Sequence, residues 1–348
     1  MTNPTAVNVF STSEHKSPNK VVIYGCGGAG VNQARKFESL FKQGVIGYAN
    51  IVPVYIDTSD SNNVKDPEIA DRAYRYEKIE GSGGLRSEHV DLISDSVNEI
   101  LKLHRPGDLN IVISSLSGGS GSVIAPCLVS ELLARNLNVV VIGIGSSETE
   151  IRVKNSINTI KSYAAIAEDL QVPIVMSVHN NTPKTPRVAV DDSIFKIVLR
   201  LAVLFSGENT ELDAKDLCNW LAFHRVTRFP AGLYTLAFVT SEEAKDYNNV
   251  FEGEMAVSEA TLFPEDTDTS TTFGSAYNCY GYVRQINQDN IDLDYPLGFV
   301  ITDGRISQTL EALNQAKAVF DERMAAVRPR NTGIVSGSDV RTKRGLVV

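Results

Sequence analysis

The chain has 348 residues, 43% of them hydrophobic and 22% charged, with a formal net charge of −9. That balance belongs to one large globular domain or two of ordinary size, and the acidic excess argues against a dedicated nucleic-acid binder. No run approaches the roughly 18 apolar residues of a spanning helix, and no basic-then-apolar leader opens the chain, so no membrane partner is expected.

The four cysteines, Cys26, Cys127, Cys218 and Cys279, lie far apart without CxxC spacing, and the five histidines form no HExxH. The cysteines read as reduced core residues, and no protein metal cage is expected.

Residues 1–19 are polar and Pro-containing, and read as a flexible arm. Val21–Tyr24 is a buried strand, followed by Gly25-Cys26-Gly27-Gly28-Ala29-Gly30 and a helix to about Gln43. This strand, Gly-rich turn and helix is a phosphate-site pattern that a dinucleotide-binding unit would share. A second strand over 51–56 ends in Asp57-Thr58, where the acid suits either a ribose or magnesium contact or a cap. Gly81-Ser82-Gly83-Gly84 forms another Gly-rich loop, flanked by Lys78 and Arg86.

A helix over 89–104 leads to a strand over 109–115 and then to Ser117-Gly118-Gly119-Ser120-Gly121-Ser122, which opens an apolar helix. Glycines let backbone approach a ligand, serines add hydroxyl donors, and the new helix aims free N–H groups at the turn. The loop carries no lysine, so it is not a P-loop, and its anion must be held by backbone and hydroxyl donors. One dinucleotide-binding unit needs a single such loop. Three, at 25–30, 81–84 and 117–122, point to a polyphosphate.

Strands at 139–144 and 173–178 alternate with a helix over 153–170 and end in the polar runs 146–150 and 179–182. Alternation of this kind predicts a doubly wound parallel sheet with its ligand at the carboxyl ends of the strands. A largely apolar helix, Asp191 to Phe205, should be central and buried. Asp213 and Asp216 follow on the first turn of a helix to about His224. From Pro230 the pattern turns to mixed α+β, with strands at 233–240, 277–286 and 296–302, a helix over 305–327, and a polar, basic tail that reads as disordered.

The loop Ser117–Val123 resembles the small-Gly-Gly-Thr-Gly-small-Gly signature of the tubulin/FtsZ superfamily, with Ser120 for threonine and Val123 for the last glycine. Over roughly residues 20–328 the chain is similar to the phage-encoded tubulin-like PhuZ family. The resemblance implies an arm (1–19), a GTP-binding domain (20–190), a central helix (191–207), a smaller α+β activation domain (208–328) and a tail (329–348). It implies GTP or GDP with Mg2+. The nucleotide contacts would be Gly25, Cys26, Gly27, Gly28, Gly30, Asp57, Thr58, Gly81–Gly84 (including Ser82 and Gly83), Ser117–Ser122, Glu148 and Glu150. Asn181 and Asp192, or its neighbour Asp191, would read guanine. Asp213 and Asp216 would be catalytic, acting on the next subunit's nucleotide, although the asparagine of the FtsZ synergy loop is absent and Glu211 stands there. The implied activity is assembly-activated GTP hydrolysis in a head-to-tail homopolymer. Its implied setting is the cytoplasm of an infected bacterial host, with phage capsids or the phage nucleus shell as cargo. The alternatives are a GTP-binding filament protein without hydrolysis and an NAD-dependent dehydrogenase.

Overall fold

Alternate residues of the first strand go to opposite faces. In β1, Lys20–Cys26, Val21 and Ile23 join one apolar cluster while Val22, Tyr24 and Cys26 join another. Both faces of the strand are therefore covered, as expected of a parallel sheet wound with helices on each side. The computed structural model describes residues 19–62, 65–77, 79–181, 185–239, 254–265, 274–284, 295–332, 342–343 and 346–347. The expected N-terminal arm, Lys78, Thr182 and most of the tail lie outside these.

The remaining strands are β2 (Asn50–Asp57), β3 (Ala73–Arg75), β4 (Leu109–Ser115), β5 (Val139–Ser146), β6 (Pro173–Asn181), β7 (Gly232–Val239), β8 (Ala256–Pro264), β9 (Tyr277–Val283) and β10 (Leu297–Thr302). Together with β1 they form one ten-stranded sheet in the order β3-β2-β1-β4-β5-β6-β7-β10-β8-β9. It is parallel from β3 to β7, and β10 runs antiparallel to both β7 and β8. The order reverses beside β1, so the loops after β1 and β4 part and open a crevice there.

The helices are α1 (Gly27–Ala34), α2 (Glu38–Gln43), α3 (Val90–Leu103), α4 (Gly121–Ala134), α5 (Glu150–Leu170), α6 (Arg187–Leu204), α7 (Ala214–Leu221) and α8 (Arg305–Thr332). Residues of α1, α6 and α7 pack on one face of the sheet, and residues of α3, α4, α5 and α8 on the other. α6 is the buried central helix that its apolar girth predicts, with Ile194, Val198 and Leu201 wholly enclosed.

Several boundaries differ from expectation. The helix after β1 breaks at Arg35–Phe37 into a 3-10 turn, which places Phe37 against Phe195 with ring centroids 4.9 Å apart. α6 begins at Arg187, directly after Pro186, rather than at Asp191. α7 stops at Leu221 and a 3-10 turn, Phe223–Arg225, follows. β8 has no counterpart in the sequence reading, because Ser258, Glu259 and Thr261 interrupt its apolar run. All three are buried, and partners exist for two: Ser258 donates to the Trp220 carbonyl at 2.9 Å and Glu259 accepts from Ser275 at 3.0 Å. Where a disordered tail was expected, α8 continues to Thr332, and Thr342–Lys343 pairs antiparallel with Leu346–Val347.

Candidate functional site

Every loop at the carboxyl end of β1, β2, β4, β5 and β6 reaches one cavity of about 910 Å³. Its walls include Cys26, Gly27, Gly28, Asp57, Gly81, Ser82, Ser117–Gly121, Glu148 and Asn181, as the sequence predicts. The convergence rests on backbone contact. A Cβ on Gly121 would stand 2.4 Å from the Cys26 carbonyl oxygen, and one on Gly27, whose φ is +67°, would stand 2.7 Å from the Gly121 nitrogen. The first and fourth loops can thus touch only because both residues lack side chains.

Among the helices that begin at this cavity are α1 and α4, and neither has a side-chain cap on its first N–H groups. Side-chain caps are present on α7, from Asp213, and on the turn over Pro67–Arg72, from Asp66, while α2, α3, α5 and α6 also start without one. Uncapped amide groups at two helix N-termini, with hydroxyls from Ser82, Ser117 and Ser120 in the same wall, make a strong site for phosphate oxygens.

The other predicted residues have supporting places. Gly25 and Gly30 pack helix on strand, since a Cβ on Gly30 would meet the Ile113 carbonyl oxygen at 2.2 Å. Thr58 is buried and shares a hydrogen bond with Ser120. Ser122 is buried and donates to the Gly119 carbonyl at 2.9 Å. Gly83 and Gly84 take positive φ in the turn that presents Ser82. Cys26 reaches the cavity wall, but burial pushes its thiol pKa well up, so it offers no thiolate. Asp57 lines the wall with its carboxyl pKa raised by burial, against the opposing pull of the Asn62 amide at 2.7 Å and the Thr58 N–H.

Two expectations are corrected. Asp192 does not face the cavity: its side chain is 67% exposed and pairs with Lys196. Asp191 does, 20% exposed, accepting from Gln33 and pairing with Lys36 at 3.2 Å. The helix has turned the second acid outward. Glu150 is exposed in the first turn of α5 and lies outside the cavity, which Glu148 and Arg152 line as an ion pair. Arg86 turns from the loops to donate to Thr159 and Ser162 on α5.

Sequence reading missed Asn32, Gln33, Arg152 and Arg187 in the wall, and Asn155 behind it. The Asn155 amide donates to the carbonyls of Gly84 at 2.8 Å and Ser117 at 3.2 Å, tying the third loop to the fourth. Only its position on the inner face of a helix following a Gly-rich loop could have signalled this. At the opposite end of the cavity, Asn181 Oδ1 and Gln33 Oε1 are buried without partners, beside the Asp191 carboxylate. Three acceptors there suit a base edge that presents adjacent donors.

His179 lies two residues before Asn181. Burial pulls its pKa down to about 4, so it is neutral at pH 7. The unfolded chain takes up this proton near pH 6.5 and the folded chain does not, so stability falls as pH drops between those values. From pH 7 to pH 5 wild type should lose about 2 kcal/mol more than His179→Gln, read by urea unfolding at the two pH values.

Asp213 and Asp216 do not line the cavity. They form a capping box: Asp213 accepts from the N–H groups of Lys215 and Asp216, while Asp216 accepts from the Asp213 N–H at 3.1 Å. Capping therefore accounts for the placement of both acids in this subunit. They follow the far end of α6, whose 18 residues span about 27 Å from the helix start beside the cavity.

No protein-family model matches this chain. It is 29% identical over 334 residues to the phage tubulin-like protein of Pseudomonas phage phiKZ, covering 91% of this chain and 97% of that one. It is 27% identical over 330 residues to the phage tubulin-like protein of Pseudomonas phage PhiPA3, covering 94% and 99%. Among solved structures, it superposes on TubZ from bacteriophage PhiKZ, determined as a protofilament, with a TM-score of 0.80 at 27% identity, covering 94% and 99%. The chain has the tubulin/FtsZ-like fold and is similar along most of its length to phage tubulin-like proteins. FtsZ from M. jannaschii shares the fold at a TM-score of 0.58 and 16% identity, covering 82% of this chain and 90% of that one. The tubulin-like fold explains why the Gly-rich loops and the acid-bearing α7 stand at opposite ends of the central helix.

Proposed function

We propose that the chain is a GTP-hydrolysing subunit of a head-to-tail filament, working in the cytoplasm of a phage-infected bacterium. The observation that carries this reading is the meeting of four Gly-rich or acidic loops and two uncapped helix N-termini on one cavity. In support, a solved relative is a protofilament, and a solved neighbour at 24% identity, the phage tubulin PhuZ, carries GDP. The division of labour follows the fold: residues 20–190 hold nucleotide, α6 spans the subunit, and 208–328 supply the loop and α7 that meet the next one. Capsids and the phage nucleus shell are the proposed cargo.

The backbone amides of the first and fourth loops hold the phosphates, and Asn155 fixes the spacing between the third and fourth. Bound Mg2+ would supply charge neutralisation at the phosphates. The chain offers it the Asp57 carboxylate and the hydroxyls of Ser59 and Ser120, a set that suits a cation keeping most of its shell as phosphate oxygen and water. Asp213 and Asp216 lie a helix length away, so they reach a nucleotide only on another subunit, where they would orient the attacking water. Stacking of this kind is heterologous and propagates.

At the base end, guanine offers N1–H and N2–H2 to the acceptors of Asp191, Asn181 and Gln33. Adenine has an acceptor at N1 and would leave the Asp191 carboxylate facing it, a cost of about 1–3 kcal/mol. Competition binding should rank GTP about tenfold or more ahead of ATP, and Asp191→Asn should narrow the gap. Equal affinities in the wild type would remove the base assignment.

A further inference from the structure

On the opposite side of α6 from the nucleotide cavity lies a second cleft of about 650 Å³, bounded by β6, β7 and the start of α8. Ser193, Lys196 and Arg200 face it, whereas Arg187 and Asp191 of the same helix face the first cavity. Arg200 carries its guanidinium over the Phe238 ring, 5.5 Å from the centroid, and its Nε is buried without a hydrogen-bond partner. Across the cleft, Thr235 is only 6% exposed and its Oγ1 also has no partner. Among the described residues no carboxylate lines the cleft. Lys196 stands at the rim, held by Asp192 at 3.5 Å. The remaining wall is mixed, with apolar Val178, Ile197, Leu236, Ala237 and Ile306 beside Ser177, His179 and Thr309.

We propose that this cleft is a second ligand site that takes a small organic oxyanion, an apolar body bearing one carboxylate or phosphate group. A buried donor left unpaired is costly, so a guanidinium N–H and a hydroxyl without partners mark a place that a ligand completes. A guanidinium backed by an aromatic ring is planar, permanently charged and shaped to meet carboxylate or phosphate oxygens through two parallel bonds. The apolar part of the wall, Val178, Ile197, Leu236 and Ile306, would pack against an organic body, in a volume that an inorganic ion would not fill. Nothing in this assignment depends on the nucleotide reading, since the two cavities have no lining residue in common, although α6 and β6 contribute to both.

Isothermal titration of the full chain with phenyl phosphate, benzoate and inorganic phosphate, each with and without saturating GDP, tests the site. The expected result is binding of phenyl phosphate or benzoate at one site per chain, unaffected by GDP, with inorganic phosphate weaker. Arg200→Gln should weaken the binding about tenfold or more, and Thr235→Val, which keeps the side-chain shape, about fivefold. Thr235→Val carries the test should Arg200→Gln fold poorly. Absence of binding by both aromatic probes, displacement by GDP, or unchanged affinity in folded variants overturns the proposal. If GDP itself fails to bind, the nucleotide reading falls and the response to the two variants still decides this one.

Discussion

Gly121→Ala is expected to cost on the order of a hundredfold in nucleotide affinity while leaving the circular dichroism spectrum native. The single added carbon would stand 2.4 Å from the Cys26 carbonyl oxygen, and that atom belongs to backbone at the end of β1. The first and fourth loops must therefore separate. Two sets of uncapped amides would then no longer point at the same phosphates, and each charge-assisted bond lost costs about 1.5–3 kcal/mol. Gly118→Ala is the matched control, because its Cβ would meet only Ser115 at 3.5 Å, an ordinary contact. Gly119 is a blunter probe. Its Cβ would strike the Ser82 hydroxyl and also stand 2.9 Å from the Ser82 Cβ and 3.0 Å from the Gly84 backbone, so a substitution there perturbs the third loop before it reaches the ligand. Normal affinity in a folded Gly121→Ala protein would show that the loops do not act together.

The second large effect concerns catalysis. Asp216→Ala should bind GTP normally and hydrolyse it about a hundredfold or more slowly. The capping box complicates that variant, since Asp216 also accepts from the Asp213 N–H, and losing a cap costs about 1 kcal/mol of helix stability. Asp216→Gln separates the two roles. Glutamine serves at this capping-box position but carries no charge. If Asp216 acts on water held by a neighbouring subunit, Asp216→Gln assembles normally and hydrolyses slowly. If it only caps α7, Asp216→Gln hydrolyses at the wild-type rate. Mixing Asp216→Gln with Gly121→Ala then tests geometry, because the second protein retains an intact acidic loop to serve GTP held by the first. Recovery of turnover in the mixture, provided the two co-assemble, is the expected result.

Much of this was legible in the chain. Apolar strands separated by amphipathic helices specify the sheet from β1 to β6 apart from the short edge strand β3, which the sequence reading lacks, and glycine clusters at the strand ends specify where the ligand goes. The less legible features share a cause: each depends on which way a helix is turned or on what packs against it. The choice between Asp191 and Asp192 depends on the phase of α6, which Pro186 sets by starting the helix at Arg187. Gln33, Arg152 and Arg187 reach the cavity only through the placement of three separate helices. β8 hides because its polar residues are buried, two of them, Ser258 and Glu259, with partners drawn from other parts of the chain. The capping box at Asp213 and Asp216 is hard to read from sequence because the acid that completes one is more familiar as glutamate, and here the shorter side chain closes it.

The central claim is that one subunit holds the nucleotide and the next supplies the acids of α7. Steady-state GTP turnover per subunit, measured across a wide range of protein concentrations, tests it most directly. Isolated subunits keep Asp213 and Asp216 about a helix length from their own cavity, so turnover per subunit should be near zero at low concentration. It should rise sharply above a threshold that coincides with the onset of light scattering. A turnover per subunit that is the same at every concentration, with no scattering threshold, would contradict the account.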